Sequence, residues 1–332
     1  MPTTSSDVYL KERIQEARHL IDTRLRELEH PVEPADLYDP VRYVLASGGK
    51  RLRPLLLLIA GEIFGVDWER ALPAALSVEV FHNFTLVHDD IMDNADERRG
   101  RATVHVKWDE STAILCGDYL LALSYQLLAR SSDVDVGRLV TRFQQMVARL
   151  CEGQSLDKSF ETRPSVSVSE YLDMVDSKTG ALLCASLELG GMLGGATEAD
   201  LKTLNAIGAA TGRAFQIQDD LLDLTADDER WGKTIGGDLI EGKKTYLLLR
   251  ALESTEGADR EWFYEIVRRN GLPPDRVAEA RERMERSGVL EDARREVIRY
   301  SEAALDSTDR LPDVPAAESL RWLLSRMQER LH

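Results

Sequence analysis

The chain has 332 residues, of which 43% are hydrophobic, and its formal net charge is −16. This length allows one large domain or two ordinary ones, each with a sizeable core. The acidic balance argues against nucleic acid or an anionic membrane as a partner, because both attract basic surfaces.

The sequence carries no signal for secretion or membrane insertion. The N-terminal stretch MPTTSSDVYLKERI lacks the apolar core of a signal peptide, and the longest apolar run, Pro54 to Ala60, is too short to span a bilayer. Cys116, Cys151 and Cys184 are far apart and form no CxxC pair, which is typical of a reducing compartment without structural disulfides or zinc. The sequence therefore predicts a cytoplasmic protein without stable membrane insertion.

Amphipathic helices follow one another along the chain. The first has apolar residues at helical spacing from Leu10 to Leu28, behind a Ser-Ser-Asp cap. The same spacing predicts further helices at Arg53–Phe64, Ala71–Asp93, Glu110–Ala129, Gly137–Cys151, Val168–Leu193, Asp200–Leu224, Lys244–Glu253, Glu261–Arg269, Arg276–Arg286, Glu291–Ala304 and Ala317–Leu331. No alternating strand pattern and no Pro-, Gly- or Ser-rich linker appears. The prediction is an all-α class in a single domain, residues 1–332.

The segment from Ser47 to Pro54, SGGKRLRP, places two glycines and three cations at the start of a predicted helix. Glycines let backbone amides approach an anion, and a helix N-terminus adds positive potential. The segment suits a diphosphate group; the alternative is a helix-capping glycine pair followed by solvated charges. A nucleotide-binding P-loop is not indicated, because Asp227 stands where the pattern that ends in Gly232-Lys233-Thr234 requires glycine.

The segment from His88 to Arg101, HDDIMDNADERRGR, contains a first acidic cluster. Asp89 and Asp93 lie one helical turn apart on one face, so their carboxylates share a small volume. An all-oxygen cluster suits Mg²⁺, which usually shares its coordination with substrate phosphates. Arg98 and Arg99 follow closely and offer fork-shaped donors for phosphate oxygens. The alternative interpretation is an acidic helix end that runs into a solvated loop.

A second acidic cluster in FQIQDDLLD repeats this spacing with Asp219, Asp220 and Asp223. Apolar residues flank these aspartates, so we expect the carboxylates to face an interior cavity, where unpaired charge is costly unless a metal or cations compensate it. Lysines follow at positions 233, 243 and 244. The repetition argues against a purely solvated surface for either cluster.

With these motifs in this order, the sequence resembles the trans-isoprenyl diphosphate synthase (polyprenyl synthetase) family along nearly its whole length. The matching features are GGKRLRP at 48–54, a histidine seven residues before the first DDxxD, DDxxDxxxxRRG at 89–100, Lys178-Thr179, Phe215-Gln216, and the second DDxxD with its lysines. Two departures are Ala102 in place of a frequent proline and Tyr246-Leu247 in place of a Leu-Pro pair. They affect local loop and helix geometry rather than the chemistry.

The resemblance implies an isoprenoid-synthase-type helical bundle around a deep central cavity, usually in a homodimer. It implies that Asp89 and Asp93 hold two Mg²⁺ ions and that Asp219 holds a third, all bridging an allylic diphosphate. The other aspartates of the two clusters would support these ligands without binding metal themselves: Asp90, Asp220 and Asp223.

The resemblance also assigns the substrate contacts residue by residue. The groups that would bind the allylic diphosphate are Arg98, Lys178 and Lys233, together with Lys243. Those that would bind isopentenyl diphosphate are Gly49, Lys50, Arg53, His82 and Arg99. The carbonyl of Lys178 and the side chains of Thr179 and Gln216 would face the allylic cation, and the released diphosphate would accept the proton.

The implied reaction is the Mg²⁺-dependent head-to-tail condensation of isopentenyl diphosphate with an allylic diphosphate. Phe84 and Thr85, the fifth and fourth residues before Asp89, lie about one helical turn from the metal site, where the growing chain must run. A single aromatic residue there resembles geranylgeranyl diphosphate synthases. A farnesyl or longer polyprenyl diphosphate synthase is the alternative product class, and the bland alternative is that Phe84 only packs in the core.

Two other classes of protein share part of this pattern. A class I terpene cyclase also uses DDxxD, but its second metal cluster typically mixes Asn, Ser or Thr with Glu, and it needs no second diphosphate site such as GGKRLRP. A non-catalytic partner subunit of a prenyl synthase would be expected to have lost one aspartate cluster. Both clusters are intact, which favours the enzyme.

Overall fold

The computed structural model describes residues 5–131, 134–226 and 234–328. Within these ranges the chain is almost entirely helical, and the only strands are β1 (Glu97–Arg98) and β2 (Arg101–Ala102), which pair antiparallel in a short hairpin. The all-α prediction is confirmed.

The helices follow the chain with short connections. Those before residue 163 are α1 (Ser5–Arg26), α2 (Ala35–Leu45), α3 (Leu52–Ile63), α4 (Trp68–Met92), α5 (Val104–Lys107), α6 (Glu110–Leu128) and α7 (Val136–Thr162). Those after it are α8 (Val168–Val175), a π-helical segment (Asp176–Gly180), α9 (Ala181–Leu193), α10 (Glu198–Thr225), α11 (Gly237–Ile240), α12 (Tyr246–Ser254), α13 (Gly257–Arg269), a 3₁₀ turn (Pro274–Arg276), α14 (Val277–Arg286), α15 (Val289–Thr308) and α16 (Pro315–Gln328).

Most predicted helices are present with shifted ends, and three differences have physical reasons. Helix α2 was not predicted, because Pro40 lies inside it and proline normally interrupts a helix. The predicted helix over 168–193 contains the π-helical segment, which apolar spacing does not reveal. Helix α7 extends beyond its predicted end to Thr162, through a mostly polar stretch. The predicted end of the last helix, Leu331, lies outside the described residues.

The chain divides into two compact units, each assembled from separate stretches. Unit one comprises Met1–Gln144, Ala185–Leu204 and Leu311–Trp322. Unit two comprises Gln145–Cys184, Asn205–Arg310 and Leu323–His332. The single domain over residues 1–332 and the deep central cavity both stay predictions.

The core of unit one forms around α3 and α4. The middle of helix α3 is apolar on all sides, and residues 55–60 are at most 1% exposed, as expected for a helix surrounded by others. Helix α4 packs on α6 at close range, because a Cβ at Gly117 would lie only 2.2 Å from the Nε2 atom of His88. Glycine at position 117 thus lets α6 approach the end of α4 that carries the first acidic cluster.

The core of unit two is an apolar cluster contributed by helices α7, α8 and α10 to α15, and it includes Tyr171, Leu221 and Phe263. Lys244 lies beside it and is 8% exposed. Its Nζ donates to the carbonyls of Phe160 (2.8 Å) and Glu161 (3.1 Å), so this lysine caps the C-terminal end of α7. A structural contact therefore accounts for one of the lysines that follow the second acidic cluster.

Candidate active site

The first acidic cluster lies at the C-terminal end of α4. Asp89 is partly exposed and Asp93, the C-cap residue, is exposed, whereas Asp90 is only 5% exposed. The backbone N–H of Asp93 donates to the carbonyl of Asp89 at 2.9 Å. Carboxylates at a helix C-terminus oppose the helix dipole, so this cluster favours a compensating cation.

Asp90 has such a cation from the protein itself. Its Oδ1 accepts a hydrogen bond of 2.6 Å from the Nε of Arg98, which follows in strand β1. Burial raises the pKa of Asp90, while the Arg98 guanidinium acts in the opposite direction. The middle aspartate of the motif is therefore tied to the hairpin, and the two flanking aspartates are the accessible ones.

Arg99 joins the hairpin to the glycine-rich segment. Its Nη1 donates to the carbonyls of Ser47 (3.3 Å) and Gly48. A Cβ at Gly49 would lie 3.1 Å from the same Nη1 atom, so the glycine leaves room for the guanidinium. The structure thus brings together Gly49 and Arg99, which lie 50 positions apart in the sequence.

Arg53 and His82 form the second contact of this site. The Nη1 of Arg53 lies 3.1 Å from the Nε2 of His82, and because arginine can only donate, Nε2 must be the acceptor. Burial and the neighbouring arginines lower the pKa of His82 well below its usual value, so the ring is neutral. Burial also lowers the pKa of Arg53 to about 10. The buried Nε of Arg53 has no hydrogen-bond acceptor among the described residues.

Arg51 is a residue whose role the sequence did not reveal. Its Nε donates to Asp22 at 2.8 Å and its Nη1 to Glu79 at 2.6 Å, and the guanidinium is almost fully buried. It therefore anchors the glycine-rich segment to α1 and α4 and is engaged by carboxylates rather than open to an anion. The sequence signal for this contact is Glu79, a single charge inside the apolar run ALSVEVF, since a buried carboxylate requires a cationic partner.

The second acidic cluster, on α10, has the same division between buried and accessible aspartates. Asp219 and Asp223 are partly exposed, and Asp220 is 4% exposed. Asp220 accepts hydrogen bonds from the Tyr171 hydroxyl (2.6 Å), the Tyr246 N–H (3.0 Å) and the Gln216 Nε2 (3.1 Å). Burial raises the pKa of Asp220 to about 6, against the effect of these donors.

Asp238 adds a fourth carboxylate near this cluster. Its backbone N–H donates to the Oδ2 of Asp223 at 3.2 Å. Burial, followed by the charges of Asp220 and Asp223, raises the pKa of Asp238 to about 8. The sequence alone indicates no role for this residue, because its spacing from the motif follows no helical repeat.

Lys178 and Thr179 lie in the π-helical segment of unit two. The Lys178 Nζ pairs with Asp157 at 2.5 Å, and the Thr179 hydroxyl donates to the Gln216 Oε1 at 3.0 Å. Gly153 of α7 permits a close approach here, because a Cβ at that position would lie 2.4 Å from the Lys178 nitrogen. The structure thus brings together Thr179 and Gln216 and links both to the second acidic cluster through the bond from Gln216 to Asp220.

A family model for polyprenyl synthetases matches residues 34–284. The geranylgeranyl diphosphate synthase of Methanosarcina mazei is 38% identical over 97% of this chain and 98% of its own length. This chain belongs to the polyprenyl synthetase family. A crystal structure of geranylgeranyl pyrophosphate synthetase from Pyrococcus horikoshii matches the fold with a TM-score of 0.88 at 35% identity, covering 97% of this chain and 98% of the other. A crystal structure of geranylgeranyl pyrophosphate synthase matches with a TM-score of 0.89 at 38% identity, covering 95% and 98%.

The remaining predicted site residues of this polyprenyl synthetase fall in four places. Phe84 and Thr85 lie on α4 and are partly exposed, and the Thr85 hydroxyl donates to the carbonyl of His82 at 2.8 Å. Lys243 pairs with Glu241 at 2.7 Å, and Lys50 is exposed in the glycine-rich segment. Lys233 lies outside the described residues.

The aspartates of this polyprenyl synthetase fit Mg²⁺ by their chemistry. Asp89, Asp93 and Asp219 offer only oxygen ligands, which this hard cation prefers. The described residues contain no preformed group of three or more acidic, histidine or cysteine ligands. Such a donor set suits an ion that one or two carboxylates hold together with substrate phosphates. In addition, no helix among the described residues has the length and apolar content that crossing a bilayer requires.

Proposed function

We propose that this chain is a trans-prenyl diphosphate synthase that condenses isopentenyl diphosphate with an allylic diphosphate, releases diphosphate, and makes geranylgeranyl diphosphate as its main product. One observation carries the proposal. In both DDxxD motifs the middle aspartate is buried and bonded to protein donors, whereas the flanking aspartates are accessible. Two motifs that each keep accessible carboxylates suit a substrate bound through metal ions, and the similarity to geranylgeranyl diphosphate synthases supports the product.

The first part of the site would neutralise the departing diphosphate. Mg²⁺ bound at Asp89, Asp93 and Asp219, three ions per site, would supply positive charge for the diphosphate oxygens. Arg98 and Lys178 would add charged hydrogen bonds to the same group, together with Lys233 and Lys243. Heterolysis of the allylic C–O bond then needs no nucleophilic side chain, because stabilisation of the separating charges lowers the barrier.

The second part would bind isopentenyl diphosphate. Gly49, Lys50, Arg53, His82 and Arg99 are the proposed contacts. The unused Nε donor of Arg53 supports anion binding, since a buried donor gains most from a charged acceptor. The neutral His82 already accepts from Arg53, so its Nδ1–H is the donor for substrate, and the released diphosphate serves as the proton acceptor.

The decisive experiment is incubation of the purified protein with labelled isopentenyl diphosphate and each allylic primer, followed by chromatography of the products. We expect a product of about twenty carbons that disappears when EDTA removes Mg²⁺. Asp89→Ala and Asp219→Ala should abolish condensation, whereas the control Asp306→Ala, at an exposed position of α15, should not. Full turnover in EDTA would reject the proposed mechanism.

The same assay separates the other classes of protein. A terpene cyclase would consume the allylic diphosphate without isopentenyl diphosphate. A non-catalytic partner subunit would form no product on its own. A farnesyl or a longer polyprenyl diphosphate synthase would differ only in the length of the labelled product.

We further propose a homodimer that forms through the accessible face of α6. Ile114 and Leu115 are 41% and 58% exposed on this helix, and Met92 at the end of α4 is 39% exposed. Contiguous exposed apolar patches mark protein–protein interaction sites, whereas isolated exposed apolar residues are ordinary. A cytoplasmic location is proposed as well, since Cys116, Cys151 and Cys184 form no disulfide.

A further inference from the structure

Four side chains of unit two form one continuous chain of hydrogen bonds. The Thr179 hydroxyl donates to the Gln216 Oε1 (3.0 Å), the Gln216 Nε2 donates to the Asp220 Oδ1 (3.1 Å), and the Tyr171 hydroxyl donates to the Asp220 Oδ2 (2.6 Å). Thr179 and Gln216 are partly exposed, whereas Asp220 and Tyr171 are buried. The chain therefore runs from a buried carboxylate to an accessible hydroxyl.

The carboxylate at the buried end determines the direction of every bond. A carboxylate only accepts, so the Gln216 amide must turn its nitrogen towards Asp220 and its oxygen towards Thr179. Because that oxygen only accepts, the Thr179 hydroxyl must donate its hydrogen to Gln216. The lone pairs of the Thr179 oxygen then point away from the chain, and the accessible end presents negative charge density.

We propose that Asp220 is a positioning residue that fixes the amide orientation of Gln216 and thereby presents the Thr179 oxygen, with its lone pairs outward, to the allylic cation. This inference rests on the proposed function, in which Thr179 and Gln216 face that cation. Oriented dipoles that match the charge of a transition state lower its energy without reorganisation during the reaction. In the opposite orientation of Gln216, its N–H groups would face Thr179 and donate to the Thr179 oxygen. The hydroxyl hydrogen would then point outward and present positive charge density to the cation.

The contacts of Asp220 favour this role over metal binding. Its Oδ2 already accepts from the Tyr171 hydroxyl and the Tyr246 backbone N–H, and its Oδ1 accepts from Gln216. A carboxylate that is 4% exposed and bonded through both oxygens to protein donors has little capacity left for an ion. The accessible Asp219 beside it does not have this limitation.

Asp220→Asn is the most direct test, because it changes one atom and reverses the chain. The Tyr246 N–H is a fixed donor, so the new amide must place its oxygen there and its NH₂ group towards Gln216. Gln216 must then turn its oxygen towards residue 220 and its nitrogen towards Thr179. We expect kcat to fall roughly tenfold or more, the effect of losing one charge-assisted hydrogen bond, with KM values and the Mg²⁺ requirement nearly unchanged.

The double variant D220N/Q216E should restore the original orientation. The amide introduced at position 220 would donate to one oxygen of the carboxylate introduced at position 216, and the other oxygen of that carboxylate would accept from Thr179, as in the wild type. The total charge is also kept. We expect the double variant to recover most of the lost kcat, whereas Gln216→Glu alone would place two carboxylates in contact and lower the unfolding midpoint.

Urea unfolding of the wild type, the two single variants and the double variant tests the orientation of the Gln216 amide without any assay of activity. The network predicts a strongly non-additive cycle in which Asp220→Asn rescues the stability that Gln216→Glu loses. An additive cycle would overturn the inference, even if the wild type makes no prenyl product and the proposed function fails. With an active wild type, two kinetic results would overturn it: a double variant no faster than D220N, or a D220N enzyme that needs much more Mg²⁺.

Discussion

Phe84 and Phe81 lie nearly one turn apart on α4 but in different surroundings. Phe81 is fully buried, with its ring 5.3 Å from that of Phe143. Phe84 is partly exposed, with its ring 4.8 Å from the ring of His88 and 5.3 Å from that of Phe81. The two rings are therefore a matched pair for separating a role in product length from a role in the core.

We expect Phe84→Ala to lengthen the main product beyond about twenty carbons. It should lower the free energy of unfolding by less than the removal of a fully buried ring does. Phe81→Ala should lower it by about 3–5 kcal/mol, as large-to-small core substitutions do, and leave the product unchanged. Chromatography of the products and denaturant unfolding measure the two effects. A strongly destabilised Phe84→Ala enzyme that still makes the wild-type product would contradict the assignment, and the length-setting residue would then lie elsewhere, for example on α6.

Arg98 and Arg99 are adjacent but bond to different partners. Arg98 donates to Asp90 of the first acidic cluster, and Arg99 donates to carbonyls of the glycine-rich segment. Arg101 in the same hairpin stacks on the ring of Tyr43, with its guanidinium carbon 3.8 Å from the ring centroid. Two arginines are thus directed to two proposed diphosphate sites, and the third serves as a comparison.

We expect Arg99→Ala to raise KM for isopentenyl diphosphate and Arg98→Ala to impair use of the allylic substrate. Each substitution should weaken the binding free energy of its substrate by about 1.5–3 kcal/mol, the usual range for a hydrogen bond to a charged group. Arg101→Ala should change neither KM by a comparable factor. Steady-state kinetics with each substrate varied in turn would refute the division if Arg98→Ala and Arg99→Ala had identical effects on both.

A chemical signature in the sequence singles out candidate site residues, whereas residues defined only by their contacts leave no such signal. Asp89, Asp93 and Asp219 stood out through the spacing of their motifs. Tyr171 did not, because its role depends on a bond to Asp220 across 49 positions of the chain. A single sequence carries no signal for such a pairing, since a tyrosine at helical spacing reads as an ordinary core residue.

At the scale of the elements, the π-helical segment is held by an ion pair. The Nε and Nη2 of Arg213, on α10, donate to the two carboxylate oxygens of Asp176 at 2.8 and 2.6 Å, and its Nη1 donates to the Tyr300 hydroxyl at 3.2 Å. Asp176 is the first residue of the segment, so this fork fixes its start. The pair holds in place the backbone that presents Lys178 and Thr179.

We expect Arg213→Ala to lower kcat by about tenfold and the free energy of unfolding by about 1.5–3 kcal/mol, because Asp176 loses a bidentate partner. Arg250→Ala is the control, since Arg250 donates twice to Asp292 in the same unit without touching the segment. It should lower stability by a comparable amount and leave kcat unchanged. Equal kinetic effects of both variants would indicate a general loss of stability instead.

Helical periodicity predicted the existence of most elements but not their irregularities. The apolar pattern from Val168 to Leu193 is continuous, so it gave one helix where the structure has two helices joined by a π turn. The distinction depends on hydrogen bonds to α10 and on the close approach of Gly153, neither of which is local. Long-range contacts therefore decide the shape of the element that carries the proposed catalytic groups.

At the scale of the whole molecule, the exposed face of α6 leads to a prediction about assembly. We expect Leu115→Asp to convert a dimer into monomers in sedimentation experiments, because a buried charge at an apolar interface is unfavourable. Ile298→Asp is the control, since Ile298 is 41% exposed on α15 and belongs to no proposed interface. A wild-type protein that sediments as a monomer would contradict the proposal directly.

The π-helical segment also has a consequence for insertions and deletions. A π turn holds one residue more than an α turn over nearly the same rotation, so the helices on either side keep the faces they would have in a straight α-helix one residue shorter. Deletion of Ser177 should therefore yield a regular helix whose flanking residues still pack as before. Deletion of one codon could thus remove the backbone conformation that presents Lys178 and Thr179, while the surrounding helices remain folded.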